Sequence, residues 1–206
     1  MMAPRGFSGP TLVVATHNAG KAAEIGTMLA PFGVRVLSHA ELGLAVPEET
    51  GATFLENAEL KARMAARAAN LPSLGDDSGL AVHALDGQPG LHTADWEGPN
   101  RDAMTGMARI QRELAARGVA DTADARAATF NCALALAWPD GHVESVLGQM
   151  RGTIVWPPRG ENGHGYDPTF QPEGWTITCG EMDPEVKNRI SHRADAFARL
   201  VARCFR

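Results

Sequence analysis

Apolar residues fall along the chain in short runs and helical stripes, separated by polar loops. Leu12-Val13-Val14-Ala15 is an apolar run of strand length. Residues 16–20 then read as a polar loop and 21–30 as a helix, with Ala22, Ile25 and Met28-Leu29 on one face. Residues 34–37 predict a second strand. Thr53 and Glu56 have capping-box spacing at the head of a helix that runs to about Asn70, with Phe54, Ala58, Ala62, Ala65 and Ala69 along one face. Residues 80–82 predict the start of a strand, just after a loop Gly75-Asp76-Asp77-Ser78-Gly79. Residues 101–117 have helical spacing and stop at Gly118. Residues 127–138 and 142–155 read as long antiparallel strands around an Asp140-Gly141 turn, ending at Pro157-Pro158-Arg159-Gly160. From Pro184 or Ser191 to Cys204 the pattern is helical again, with Ile190, Phe197 and Val201 inward.

Mixed strands and helices with a long central hairpin imply an α/β fold: a central mixed sheet flanked by helices, in two lobes with a cleft between them. Residues 1–10 hold one Arg, two Gly and two Pro with no signal-peptide apolar region behind them, and read as a flexible N-terminal tail. Residues 11–206 then form a single two-lobed domain. Hydrophobic residues make up 44% of the 206, enough for a core, and no apolar run has the roughly 18 residues that span a bilayer. No membrane partner is expected. Cys132, Cys179 and Cys204 are odd in number and lack CxxC or Cys/His ligand spacing, which speaks against a disulfide framework or a zinc site and for the cytoplasm. A net charge of −5 argues against a nucleic-acid footprint but leaves room for a phosphorylated small molecule.

Five runs could carry chemistry. In Thr16-His17-Asn18-Ala19-Gly20-Lys21, a strand-to-helix loop offers backbone N–H groups, two side-chain donors and a cation, which suits phosphate; the Walker spacing is absent, and an ordinary capped loop is the plainer reading. Asp76-Asp77 places two carboxylates side by side, able to hold magnesium or act as a base, though Asp, Ser and Gly also favour plain turns. Glu48-Glu49 could complete a metal site or be an acidic surface loop. Gly163-His164-Gly165-Tyr166-Asp167-Pro168 sets rings on a glycine-rich loop that could stack a base, or could be a surface turn. Lys187-Asn188-Arg189-Ile190-Ser191-His192-Arg193 offers donors to anions or carbonyl oxygens, or forms a solvated basic face.

Their order is more specific than any one of them. Thr-x-Asn-x-x-Lys, then Glu-Glu-Thr-Gly and Phe-x-Glu-Asn-Ala, Asp-Asp-Ser-Gly-Leu, Gly-Tyr-Asp-Pro-x-Phe, and Glu-x-Lys-Asn-x-x-Ser-His-Arg span residues 12–193. The set closely resembles the inosine/xanthosine triphosphate pyrophosphatase family, also called Ham1-like. The resemblance implies an elongated two-lobed α/β protein, usually a homodimer. It implies magnesium-dependent hydrolysis of inosine, deoxyinosine and xanthosine triphosphates to monophosphate and pyrophosphate. It also implies that Thr16, His17, Asn18, Ala19, Gly20 and Lys21 hold the polyphosphate, that Glu48 and Asp77 bind the metal, and that Asp77 is the general base. Ser78 would touch substrate, and His164, Gly165, Tyr166, Asp167, Lys187, His192 and Arg193 would surround the nucleoside.

The chain departs from the family's pattern at four places: His17 for the common Gly, His164 for the usual Phe, Asp95 where many relatives carry Arg, and Asp183 for Ser or Thr. If His164 does not stack on the base, Tyr166 or Trp175 would supply the ring. A donor from His192 or Arg193 to the 6-keto oxygen would favour hypoxanthine and xanthine over adenine. Two alternatives stay open: a related pyrophosphatase with another base preference, and a non-catalytic nucleotide-binding protein, against which the Asp76-Asp77 pair argues.

Overall fold

The structure, a computed structural model, describes residues 4–16, 19–45 and 47–205; the side chains of Ala19, Gly20, Lys21 and Glu24 lie outside that description. Its strands are β1 (Thr11–Val14), β2 (Arg35–Ser38), β3 (Ser73–Val82), β4 (Ala127–Ala137), β5 (Val143–Ile154) and β6 (Phe170–Pro172). The helices are α1 (Ala19–Leu29), α2 (Phe54–Ala69), α3 (Ala103–Ala116), α4 (Pro184–Ile190) and α5 (His192–Cys204). The sheet order is β2-β1-β3-β4-β5-β6. Parallel pairing of β1 with both β2 and β3, and antiparallel pairing of β5 with β6, make the sheet mixed. By chain contacts the protein divides into two compact units: Met1–Asp77, Cys132–Gly148 and Ala196–Arg206 form the first, Ser78–Asn131 and Gln149–Asp195 the second.

In the first unit β4 is buried on both faces. Cys132, Leu134 and Leu136 join Leu12, Leu29 and Leu200, while the alternate Ala133, Ala135 and Ala137 meet Ala58, Ala62 and Ala66 of α2. This is the period-two alternation of a strand, and small residues on one side let the helix lie close. α2 starts as its sequence predicts: the Thr53 hydroxyl accepts from Glu56 N at 3.1 Å and Glu56 reaches back to Thr53 N at 3.0 Å. The second unit packs Leu80, Ile110, Leu114, Phe130, Tyr166 and Phe170 into its own core.

Three expectations need correction. The acidic run is not a loop before a strand. Gly75 to Gly79 lie within β3, and a Cβ on Gly75 would come within 2.3 Å of the Ala58 carbonyl oxygen. Only glycine lets the strand pass that close to α2, so it is a packing residue and not a turn residue. Part of the expected tail is tied down: Arg5 N donates to Glu144 Oε1 at 3.0 Å, Phe7 N donates to Cys204 O at 2.7 Å, and the Phe7 ring lies 5.1 Å from Phe205. The C-terminal helix is two helices, because Ser191 is extended and its Oγ accepts from Ala194 N at 3.1 Å, ending α4 and capping α5. Asp183, the departure before Pro184, caps α4 through Glu185 N at 2.9 Å and Val186 N at 3.2 Å.

Candidate active site

The first unit gathers a connected set of polar groups around Asp77. Asn57 and Lys61 lie four residues apart on α2, hence on one face, beside its alanine stripe. Lys61 Nζ donates to Asp77 Oδ1 at 3.0 Å and to Glu49 Oε1 at 2.9 Å. Asn57 Nδ2 donates to Asp77 Oδ2 at 3.3 Å, while Asn57 Oδ1 accepts from Gly51 N at 2.7 Å. A Cβ on Gly51 would lie 2.6 Å from that Oδ1, so the loop can approach Asn57 only as glycine. Asp77, Asn57 and Lys61 are all buried; Glu48 and Glu49 are exposed.

Burial pushes the Asp77 carboxyl above the ordinary carboxylate range, against the pull of the Lys61 ammonium and the Asn57 amide. Burial opposes the Lys61 charge too, but Asp77, Glu49 and Asp76 outweigh it and hold the ammonium above its usual value. The result is a carboxylate that accepts a proton more readily than a surface one, next to a cation that stays charged. That is the electrostatic setting of a general base.

Sequence reasoning singled out Asp77 and missed Asn57 and Lys61. The signal was present: two polar residues at i, i+4 bordering an alanine face that packs on a strand.

The other expected residues are distributed as follows. Thr16 lines a cavity of about 330 Å3 with Ala22, Gly26, Val36, Ser38 and Glu41. His17 and Asn18, and the side chains of Ala19, Gly20 and Lys21, lie outside the described residues. In the second unit the Ser78 hydroxyl is buried without a hydrogen-bond partner among the described residues. Asp167 is buried; its Oδ2 accepts from His164 N at 2.7 Å and from Lys187 Nζ at 2.9 Å. Gly163, at φ +84°, carries the loop past that carboxylate, and a Cβ there would meet Oδ2 at 2.1 Å. His164 is exposed. Tyr166 is 2% exposed, packed in the core with its hydroxyl donating to Thr93 O at 2.9 Å, so its ring is not the loop's exposed one. Exposed Trp175 lines a separate cavity of about 340 Å3 with His83 and Arg151. His192 opens α5 with its ring stacked on Phe130, and Arg193 follows it, half-buried. Asp95, another departure, pairs with His92 Nδ1 at 3.0 Å.

No thiol competes for the chemistry. The three cysteines are buried and not joined in a disulfide, and burial pushes Cys179 up to about 12 and Cys204 up to about 11.

The sequence model of the Ham1 family matches residues 12–203. The chain belongs to the Ham1 family. It is 57% identical over 205 residues to the dITP/XTP pyrophosphatase of Rhodospirillum centenum, covering 100% of each chain. It is 52% identical to the protein of the same name from Rhodopseudomonas palustris, covering 94% of this chain and 95% of that one. Among solved structures it resembles a HAM1 protein from Coxiella burnetii, with a TM-score of 0.88 at 36% identity, covering 94% of this chain and 98% of that one. The Ham1 protein of Staphylococcus aureus follows at a TM-score of 0.83 and 34% identity, covering 93% and 96%.

The family resemblance implies magnesium, and the donor set can be tested against that ion. Among the described residues no three His, Cys, Asp or Glu side chains form a metal cage. Magnesium seldom needs one, since it keeps water and substrate phosphates and takes one or two carboxylates. Asp77 with Glu48 or Glu49 supplies hard oxygen ligands of that number and type, so the residues fit the ion.

Proposed function

We propose that this chain hydrolyses the non-standard purine nucleoside triphosphates dITP, XTP and ITP to monophosphate and pyrophosphate, as a magnesium-dependent enzyme that cleanses the nucleotide pool. The observation that carries this reading is Asp77: a buried carboxylate with a raised proton affinity, gripped by Lys61 and Asn57, in a chain 57% identical to a dITP/XTP pyrophosphatase.

In the proposed reaction Asp77 takes a proton from a water whose oxygen attacks the α-phosphorus. A P–O bond forms there as the bond to the bridging oxygen breaks, and pyrophosphate leaves with that oxygen. Lys61 keeps Asp77 in place and offers a charge beside the reacting phosphoryl group. Lys21, with Thr16, His17, Asn18, Ala19 and Gly20, is assigned to the outer phosphates. Magnesium, held by Asp77 and Glu48, would neutralise charge on the phosphate oxygens. The nucleoside is assigned to Ser78, His164, Gly165, Lys187, His192 and Arg193, with buried Tyr166 and Asp167 holding the 163–167 loop. A 6-keto oxygen would accept from His192 or Arg193, and an adenine amino group in its place would leave that donor unpaired.

The protein is proposed to act as a homodimer in the cytoplasm, a reading supported by family resemblance and by three cysteines not joined in a disulfide. No described helix is long and apolar enough to cross a membrane. Turnover of dITP, XTP, GTP and ATP with and without magnesium, with pyrophosphate detected directly, tests the proposal. Binding without pyrophosphate release would overturn it in favour of a nucleotide-binding protein.

A further inference from the structure

Phe130 lies on β4 and is only 7% exposed. Its ring is stacked on the His192 imidazole, with centroids 5.0 Å apart and planes 15° from parallel. Phe130 is itself held by Phe170, at 4.4 Å and 47°. His192 is the first residue of α5, and its backbone is fixed twice over. Ser191 Oγ accepts from Ala194 N at 3.1 Å, and Asp195 Oδ2, one turn on, accepts from Gln149 N at 3.0 Å. A fixed backbone does not fix an imidazole, because rotation about its last side-chain bond is broad and roughly two-fold. The direction of a hydrogen bond from a ring nitrogen depends on that rotation, and such bonds weaken steeply away from linearity. A flat, buried partner lying parallel to the ring restrains that rotation.

We propose that Phe130 is a positioning residue for base selection: its ring sets the plane of the His192 imidazole and so aims that ring's nitrogen at a purine 6-oxygen. The proposal rests on the reading of His192 as a base contact. Phe130 has no polar group with which to read a base, so it acts through His192.

The test is a double-mutant cycle on the full-length protein: wild type, Phe130→Leu, His192→Ala and the pair, with Phe130→Met as a second ring-removing variant of similar volume. Three quantities are measured: the ratio of kcat/KM for dITP to that for dATP, the inhibition constant of inorganic tripolyphosphate, and the thermal midpoint. His192→Ala should lower the ratio about tenfold or more. Phe130→Leu and Phe130→Met should each lower it about 2- to 12-fold, the value of an aromatic stack. Neither should move the tripolyphosphate constant, and Phe130→Leu should change nothing further in the His192→Ala background. A further drop in that background, or a parallel rise in the tripolyphosphate constant, would make Phe130 an ordinary core residue and overturn the proposal. An unchanged ratio in His192→Ala alone would instead remove the base contact, and the proposal would fall with it.

Discussion

Each unit contains a lysine–aspartate pair, and the two look alike by distance. Lys61 meets Asp77 at 3.0 Å, and Lys187 meets Asp167 at 2.9 Å. All four side chains are largely buried, with exposures of 8% and 12% in the first pair and 14% and 3% in the second. Their surroundings differ. Asp167 takes a backbone N–H at 2.7 Å on the same oxygen that meets its lysine, which closes the 163–167 loop. Among the described residues Asp77 takes no backbone donor; beside its lysine it takes a long 3.3 Å bond from the Asn57 amide, and that lysine is divided with Glu49. Burial therefore wins at Asp77 and lifts its proton affinity. On the proposed reading one pair is a structural tie and the other serves proton transfer, and the second partners of each carboxylate separate the two.

Replacing each aspartate breaks the likeness most sharply. Asp77→Asn keeps the shape but cannot take a proton, so turnover should fall about 10²- to 10⁴-fold while triphosphate binding persists. Direct pyrophosphate assays alongside calorimetric binding measure both; a variant turning over near the wild-type rate would end the base assignment. Asp167→Ala should act on folding. It strands the buried Lys187 ammonium and frees the His164 N–H, and removing one partner of a buried pair costs about 3–5 kcal/mol. Urea unfolding should show that loss, and a stability within 1 kcal/mol of wild type, on the order of an exposed pair, would mean the tie is not structural.

The proposed magnesium would distinguish Glu48 from Glu49. Glu48→Gln should raise the magnesium concentration for half-maximal activity by roughly tenfold or more, the scale on which even supporting groups tune a metal site. Glu49→Gln should instead loosen Lys61, since Glu49 is the residue in contact with it. If only the Glu49 variant shifts the magnesium titration, the ligand is Glu49 and Lys61 must release it.

Much of the frame could be read from the sequence because periodicity and capping are local. α2 follows from Thr53, Glu56 and the alanine face; β4 and β5 follow from apolar runs around Asp140-Gly141. What could not be read depends on partners distant in the chain. Gly75-Asp76-Asp77-Ser78-Gly79 has turn composition, yet it is strand because Gly75 abuts α2. Asp77 could be picked out as a candidate acid, but Lys61 and Asn57 could not be tied to it without knowing that α2 packs on β3 at Gly75. Tyr166 looked like a ring for stacking; its burial depends on Gly106, whose missing Cβ leaves room for the phenol oxygen.

His164 tests whether the loop tied by Asp167 meets the base. His164→Ala should raise KM for dITP and XTP alike, toward the low end of about 5- to 150-fold, with a smaller effect on turnover, while His164→Phe should keep activity. An unchanged KM in the alanine variant would leave the loop without a stacking ring, since Tyr166 is buried.

The smallest effect tests the rule behind the comparison, that donors around a buried acid decide its proton affinity. Glu144, in the first unit, is the counter-case to Asp77. Burial alone would raise its carboxyl, but Arg5 N–H at 3.0 Å, Arg203 Nε at 2.5 Å and His142 Nε2 at 2.9 Å all face it, and the net result is a carboxyl held down at about 2. A glutamate in the unfolded chain titrates near 4.3. The folded value is the lower one, so the stabilisation is complete above about pH 4.3 and is lost as pH falls from there towards about 2. Arg203 and His142 are partly exposed, so solvent screening reduces the contribution, and about 1 kcal/mol at neutral pH is expected. Glu144→Gln should therefore unfold more easily at pH 7 but lose less between pH 5 and 3, with the two stability curves converging in acid. Thermal midpoints across that range measure it. Parallel curves would show that the three donors do not hold Glu144 down, and that donors around a buried acid do not decide its proton affinity at Asp77 either.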